Sequence, residues 1–421
     1  MRAVASYTAT VSTAIPGDGP GTRFRRTFVA FRQRDFRIFW LGQLVSVTGT
    51  WMQTVAQGWL ILLLTGSPFV LGLAAAARSL PVLILVVPAG IVADRFDRRL
   101  IIIVTTVVAT ITSAALAILT LLDAIDVPMV LFLAAVLGVT NAFEMPARQS
   151  FVAELIGKRD LANAIALNSL LFNSARVVGP AIAGILVALV GPGWAFGINA
   201  ISYVPVLIGL FMIGRVHVPR LGIGARSAVP EAVRYLRTEP RVAALLGLLA
   251  AQTIFASGHF ILGPTLAVDL GQGAEGFGVL LAATGAGAVV GGLGLAATSD
   301  RKERWRALLG AGVALGGGLV AVGLTSSYPI TLLCLVVAGW GMVTFNASSN
   351  TLIQTIVPDR LRGRMMSLYT LVLLGLMPVG GLLMGSLASA LGSAAALGIG
   401  GVAYLVLIVA GFAFVPPLRR L

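Results

Sequence analysis

Cysteine and histidine are almost missing from this chain. Among 421 residues there is one cysteine, Cys334, and two histidines, His217 and His259. A single cysteine excludes an intramolecular disulfide and any cysteine-based zinc site. Two imidazoles leave a conventional metal centre short of ligands, so no metal is expected. Charge is also scarce. Charged residues make up 11% of the chain, against about 25% in a soluble globular protein. The most informative absence is positional. Of thirty Lys and Arg, none falls in alternate loops on one side of a series of long apolar segments.

What is present is apolar. Hydrophobic residues account for 57% of the chain, and mean hydropathy is +0.96. A helix needs about 20 residues to cross a bilayer, and twelve segments reach that length. The first six lie near 38–64, 70–92, 100–122, 128–148, 163–189 and 193–213. The second six lie near 241–267, 275–298, 306–324, 329–350, 365–391 and 394–415. Only Arg78 and Arg176 fall inside spans. The other basic residues sit in the tails, or in and beside alternate loops on one side. Positive charge is retained on the cytoplasmic side, so this pattern predicts a multi-pass protein with both termini in the cytoplasm. It also accounts for the net charge of +14 without nucleic acid.

The chain is expected to divide into a flexible cytoplasmic tail (1–35), a six-helix bundle (36–213), a linker (214–240), a second six-helix bundle (241–415) and a short tail (416–421). Residues 1–35 lack the apolar stretch of about 7–15 residues that a signal peptide needs. In the linker, Val229, Ala232, Val233 and Leu236 follow helical spacing and predict a short amphipathic helix at the membrane surface. The halves repeat. Asp94-Arg95-Phe96-Asp97-Arg98-Arg99 follows the second span, and Asp300-Arg301-Lys302-Glu303-Arg304-Trp305 follows the eighth. Gly179-Pro180 and Gly184 in the fifth span match Pro378, Gly380-Gly381 and Gly385 in the eleventh. A period of about 200 residues is too long for a solenoid. It fits two bundles related by an axis along the membrane normal.

Gly90-Ile91-Val92-Ala93-Asp94-Arg95-Phe96-Asp97-Arg98-Arg99 resembles the signature loop of the major facilitator superfamily, G-x-x-x-D-R-x-G-R-R. The departure is Asp97 in place of Gly. Ala296–Trp305 is a degraded second copy. Gly49-Thr50-Trp51-Met52-Gln53, Pro146-Ala147-Arg148-Gln149-Ser150-Phe151 and Asn173 through Gly184 resemble the branch with enterobactin exporters and macrolide-efflux relatives. The resemblance covers residues from about 36 to 415. It implies an all-α membrane protein of twelve transmembrane helices in two six-helix bundles. It also implies export of a small, often bulky molecule against inward proton flow. In that superfamily helices one, four, seven and ten line the cavity. The loop Asp sits at the N-terminal dipole of span eleven and pairs with Arg at the end of span four. Here these are Asp94 and Arg148. Arg95, Arg98, Arg99, Asp300 and Arg301 complete the expected gate. The alternative is ordinary cytoplasmic charge, which explains the arginines but not an Asp placed alike in both halves.

Buried charge marks the candidate site. A basic residue at mid-membrane costs about 2.5–3.5 kcal/mol on insertion scales. Arg176 therefore lines a polar cavity or forms a structural ion pair between spans four and five. Glu144 is the acid well inside a span. It either loads and releases a proton or forms a fixed pair with Arg148 at the rim. Arg78 snorkels outward or lines the outer vestibule. Gln53, Gln57, Asn173, Gln252, His259, Asn346 and Asn350 are candidate substrate contacts, each with an interhelical hydrogen bond as its alternative.

The expected function is proton-coupled export of a siderophore or drug-like molecule by alternating access. The setting is the bacterial inner membrane, with the proton gradient in place of a cofactor and a monomer among membrane lipids. An importer or lipid flippase on the same scaffold is the first alternative, since fold does not set direction. A non-transporting sensor is the second. No cluster of nucleophile, base or ligands suggests an enzyme, and no phosphate-binding loop follows a strand.

Overall fold

The computed structural model describes residues 29–214, 234–297, 304–416 and 418, and all its regular structure is helical. Eleven of its helices are long and apolar enough to cross a membrane. A further helix, α1 (Arg34–Thr65), has 32 residues but carries Gln43, Gln53 and Gln57 among its apolar side chains. With it the helices are α2 (Pro68–Arg95), α3 (Arg98–Leu121), α4 (Val127–Gly157), α5 (Asn163–Val190) and α6 (Pro192–Met212) in the N-terminal half. The C-terminal half has α7 (Pro240–Asp269, interrupted), α8 (Ala274–Ala297), α9 (Arg304–Leu324), α10 (Tyr328–Ile356), α11 (Asp359–Leu391, interrupted) and α12 (Ser393–Phe414). The chain is thus an all-α membrane protein.

Polarity is reversed relative to a soluble domain. Leu189 is 77% exposed and Leu324 84%, on faces that hydrocarbon would cover. Thr105, Thr112, Ser113, Asn199 and Ser202 are buried. Ser113 donates to Gln53 Oε1 at 2.7 Å, and Asn199 Nδ2 donates to the same atom. This network ties α1, α3 and α6 inside the N-terminal half. Backbone groups are satisfied within helices, as the bilayer requires.

Three features differ from the sequence expectation. Residues 29–35 are part of the folded half rather than a tail. Val29–Arg32 forms a 3-10 turn, Ala30 is fully buried, and its N–H donates to Asn163 Oδ1 at 3.0 Å. Gln33 Nε2 donates to the Ile156 carbonyl at 3.0 Å. Second, α4 runs to Gly157, whose φ of 70° breaks the helix; that left-handed backbone suits glycine. Third, span seven is not one helix. Pro240–Ala251 gives way to a π-turn at Gln252–Ala256, then to short helices Gly258–Ile261 and Gly263–Asp269. Carbonyls of this segment pack against glycines. A methyl group at Gly400 would collide with the Phe255 carbonyl, and one at Gly380 would lie 2.6 Å from that of Thr253. In the linker, residues 234–238 are helical, while Val229, Ala232 and Val233 lie outside the described residues.

The two halves meet through α2 against α11 and α5 against α8. Both seams are built on glycine. A methyl group at Gly278 would sit 2.5 Å from the Pro180 carbonyl, and one at Gly184 would sit 2.9 Å from Gly278 Cα. Gly72 faces the Gly381 carbonyl and Gly385 faces that of Pro68, each too close for a side chain. Small residues let helix backbones approach in membranes. Phe69 N–H also donates to Ser389 Oγ across the seam at 3.0 Å. These contacts lie in the half of the bundle remote from the basic loops, so that end is closed.

Candidate functional site: Arg176 and the basic end

Arg176 stands at the midpoint of α5. Among the described residues no carboxylate pairs with it and no hydrogen bond reaches its guanidinium. Its neighbours are rings: Trp51 at 5.3 Å and Phe260 at 5.9 Å from the guanidinium carbon. The placement follows from glycine. Gly179, one turn beyond Arg176, lets Trp51 Cβ come so near that a methyl group there would be 2.6 Å away. This brings the indole of α1 alongside the arginine. Phe260 arrives from the other half, on the broken segment of α7, with its ring centroid 6.5 Å from Trp51. His259 packs on Phe260 at 4.2 Å. His259 is 2% exposed. Its Nδ1 lies 3.0 Å from the Ala256 carbonyl, and its Nε2 has no partner. The expected Arg176–Glu144 pair between spans four and five does not form.

Glu144 instead holds Arg148, with Nη1 to Oε1 at 3.1 Å. Gln43 Oε1 accepts from the same nitrogen at 3.4 Å, and Phe172 lies under the guanidinium at 4.9 Å. Pro146 lies between the two and does not prevent the i,i+4 contact. Asp94, the expected partner of Arg148, is exposed and makes no ion pair among the described residues. Arg95 is exposed as well. Arg98 pairs with Glu154, and Arg99 Nε donates to the Leu210 carbonyl at 2.6 Å. These two therefore brace the N-terminal half rather than bridge the halves. Asp300 and Arg301 lie outside the described residues.

Asp97 has a role of its own. Its φ is −64°, so the glycine of the superfamily pattern is not needed here, and its Oδ1 accepts from Arg99 N–H at 2.9 Å as the N-cap of α3. Asp97→Ala is therefore expected to cost about 1 kcal/mol of local helix stability with transport largely kept. Asp94→Ala is expected to lower transport at least about tenfold. Transport assays with surface expression as control decide this. Equal, full activity in both variants would remove the gate role of Asp94.

The remaining candidates divide. Gln53 is consumed by the α1–α3–α6 network inside the N-terminal half. Gln57 is buried with Oε1 unpartnered. Asn173 Nδ2 donates to the Ser169 carbonyl on its own helix. Gln252 Nε2 donates to Asn346 Oδ1 at 3.0 Å, joining α7 to α10. Asn350 Oδ1 accepts from Gln354 at 2.6 Å. Tyr369 on α11 donates to the Asn346 carbonyl at 3.0 Å, a member sequence reading did not single out. Arg78, half-buried on α2, has no acid partner among the described residues. At the start of α7, Arg241 grips Glu239 through two bonds of 2.7 and 2.9 Å. Those bonds hold the Glu239 carboxyl below its usual range.

Two helical bundles with glycine seams at one end, and an arginine within the membrane-spanning part of α5 beside rings from both halves, are the architecture of a membrane carrier. A family described as transmembrane secretion effector matches residues 25–419. The chain belongs to this family of the major facilitator superfamily. Among curated relatives, the multidrug efflux pump Tap of Mycolicibacterium fortuitum is 29% identical, over 83% of this chain and 88% of its own. The enterobactin exporter EntS of Salmonella typhi is 27% identical, over 80% of this chain and 81% of its own. Solved structures agree on the fold. The nucleoside transporter NupG superposes with a TM-score of 0.75 at 12% identity, over 90% of this chain and 99% of that one. A bacterial homologue of the human lysosomal transporter Spinster, inward-facing and unoccupied, gives 0.72 at 18% identity, over 93% and 97%. The chain is a membrane transporter of small molecules and not an enzyme.

Proposed function

We propose that this transporter exports a small molecule from the cytoplasm by alternating access, driven by inward proton flow and using no bound cofactor. The observation that carries the reading is the state of Arg148. It is held within its own half by Glu144, while Asp94 has no partner among the described residues and the halves are sealed at the opposite end. That is the arrangement of a carrier whose basic end is open. When the basic end closes, Arg148 passes to Asp94 beside α11. Glu144 then loses its cation inside the hydrocarbon layer, and a carboxylate so placed is neutralised by a proton. Gate and proton would thus share one arginine. The efflux names of the relatives support the direction of transport, and the basic loops support a cytoplasmic placement of that end. A siderophore or drug-like compound is the substrate we expect, carried by a monomer in the bacterial inner membrane.

Export is tested by loading proteoliposomes or cells and imposing a pH gradient. Accumulation against the outward direction would overturn it. Orientation has its own test. A cysteine at Ser327, in a Cys334→Ser background, should react with an impermeant maleimide from outside. One at Arg226 should react only after permeabilisation. The reverse labelling would overturn the topology.

A further inference from the structure

We propose that the substrate is an aromatic anion whose carboxylate or equivalent group binds Arg176, with its ring against Trp51 and Phe260. This rests on the transporter reading above and names the chemistry of its cargo.

The inference starts from an imbalance of charge. Three arginines at the basic end have an acceptor among the described residues: Arg148 has Glu144, Arg98 has Glu154, and Arg99 has the Leu210 carbonyl. Arg176 has nothing of the kind. Among the described residues its five N–H donors meet no acceptor, although it lies within a membrane span. Arg78, also within a span, lacks an acid too. Glu144, the acid within reach of this depth, is already committed to Arg148. The core of the bundle therefore carries uncompensated positive charge, and a cationic substrate would meet repulsion there.

The rings define the rest of the ligand. Trp51 and Phe260 flank the guanidinium from opposite halves of the molecule, and their faces stabilise a cation weakly. They satisfy none of its hydrogen-bond donors, so its planar fork stays available for a bidentate acceptor. A planar body beside that acceptor would pack against the exposed edges of the same two rings. The cluster also holds the second unmet polar atom, His259 Nε2, on the broken segment of α7. Interrupted helices in transporters place such groups at the substrate site near the bilayer midplane. Because Phe260 and Trp51 belong to different halves, an anion seated on Arg176 touches both moving parts.

The test uses purified full-length protein and three matched probes: 2-naphthoate, 2-naphthamide and 2-naphthylmethylamine. Binding is read by equilibrium dialysis and by thermal stabilisation. The naphthoate should bind at least about tenfold more tightly than the amide, the gain of a charge-assisted pair, and the amine most weakly. Arg176→Gln should bring the naphthoate to within about threefold of the amide, since the charge-assisted pair is lost for the acid alone. Arg176→Lys should keep part of the preference. A parental size-exclusion profile and melting temperature without ligand show that each variant is folded. Equal binding of acid and amide, a preference for the amine, no binding of the acid, or a preference that survives in Arg176→Gln would each overturn the proposal. The assay needs neither gradient nor direction. Its failure would leave export standing, and failure of export would leave an anion site standing.

Discussion

Gly72→Leu is expected to give a folded, membrane-inserted protein that no longer transports. Gly72 faces the Gly381 carbonyl of α11 with no room for even a methyl group, and Gly385 lies against the same turn. A leucine there wedges α2 from α11 but leaves the interior of each bundle untouched. Gly278→Leu should act alike at the second seam, because Gly278 lies against Pro180 and Gly184 of α5. Each variant should drop transport below about 5% of the parent, since opening at the far end persists and alternation stops. The control is Gly287→Leu. Gly287 is also pressed on a backbone carbonyl, that of Val336, but within the C-terminal half between α8 and α10. That variant should lose the protein itself, because overpacking a bundle core has no rigid-body escape. Size-exclusion profiles separate the two classes. A cysteine at Ser389, which bonds across the seam to Phe69, should become reactive from the far end in Gly72→Leu. Wild-type transport by Gly72→Leu would show that this seam need not close.

Part of this was legible in the sequence for a simple reason. Apolar runs long enough to span and basic loops on one side are dictated by the solvent, so span number and parity survive without tertiary information. Gly184, Gly381 and Gly385 stood out in the repeat between the halves, but Gly72 and Gly278, which face them, carried no mark in the sequence. The break in α7 was less visible. Ser257-Gly258 and Gly263-Pro264 are its local marks, yet an apolar stretch of that length reads as one span until packing partners are known. Asp97 shows the reverse. It departs from the superfamily loop, and locally it supplies an N-cap. Side-chain pairing was the least legible layer. Glu144 and Arg148 share a helix at i,i+4, so their contact was open to sequence. Glu154 with Arg98, and Trp51 and Phe260 around Arg176, come from different helices, and only the close approach permitted by Gly179 brings the indole to the guanidinium. Gln53 illustrates the cost of that gap. It sits on a cavity-lining helix, but the helix turns it toward Ser113 and Asn199.

Glu144→Gln is expected to abolish export driven by a pH gradient while sparing downhill exchange of substrate. In the observed state Glu144 and Arg148 are each about one-fifth exposed, with side-chain values of 20% and 19%, so the pair is reachable from the open end. Glutamine keeps the size and can still accept a hydrogen bond from Arg148, but it cannot take a proton. Closure of the basic end then proceeds without proton uptake, and the gradient no longer biases the cycle. Exchange needs no net protonation, so its rate should stay within about threefold of the parent. Arg148→Gln should behave differently. It leaves Glu144 without its cation in the open state and removes the partner that Asp94 would take in the closed state. Both gradient-driven export and exchange should then fall by at least about tenfold. The two assays in proteoliposomes separate a proton carrier from a structural pair. If the pair were only structural, Glu144→Gln would lower expression and exchange together, and the double variant Glu144→Arg with Arg148→Glu would restore both. Full pH-driven export by Glu144→Gln would move the proton site elsewhere. The next group to examine would be His259, whose Nε2 already lies unpartnered beside Phe260 at the boundary of the two halves.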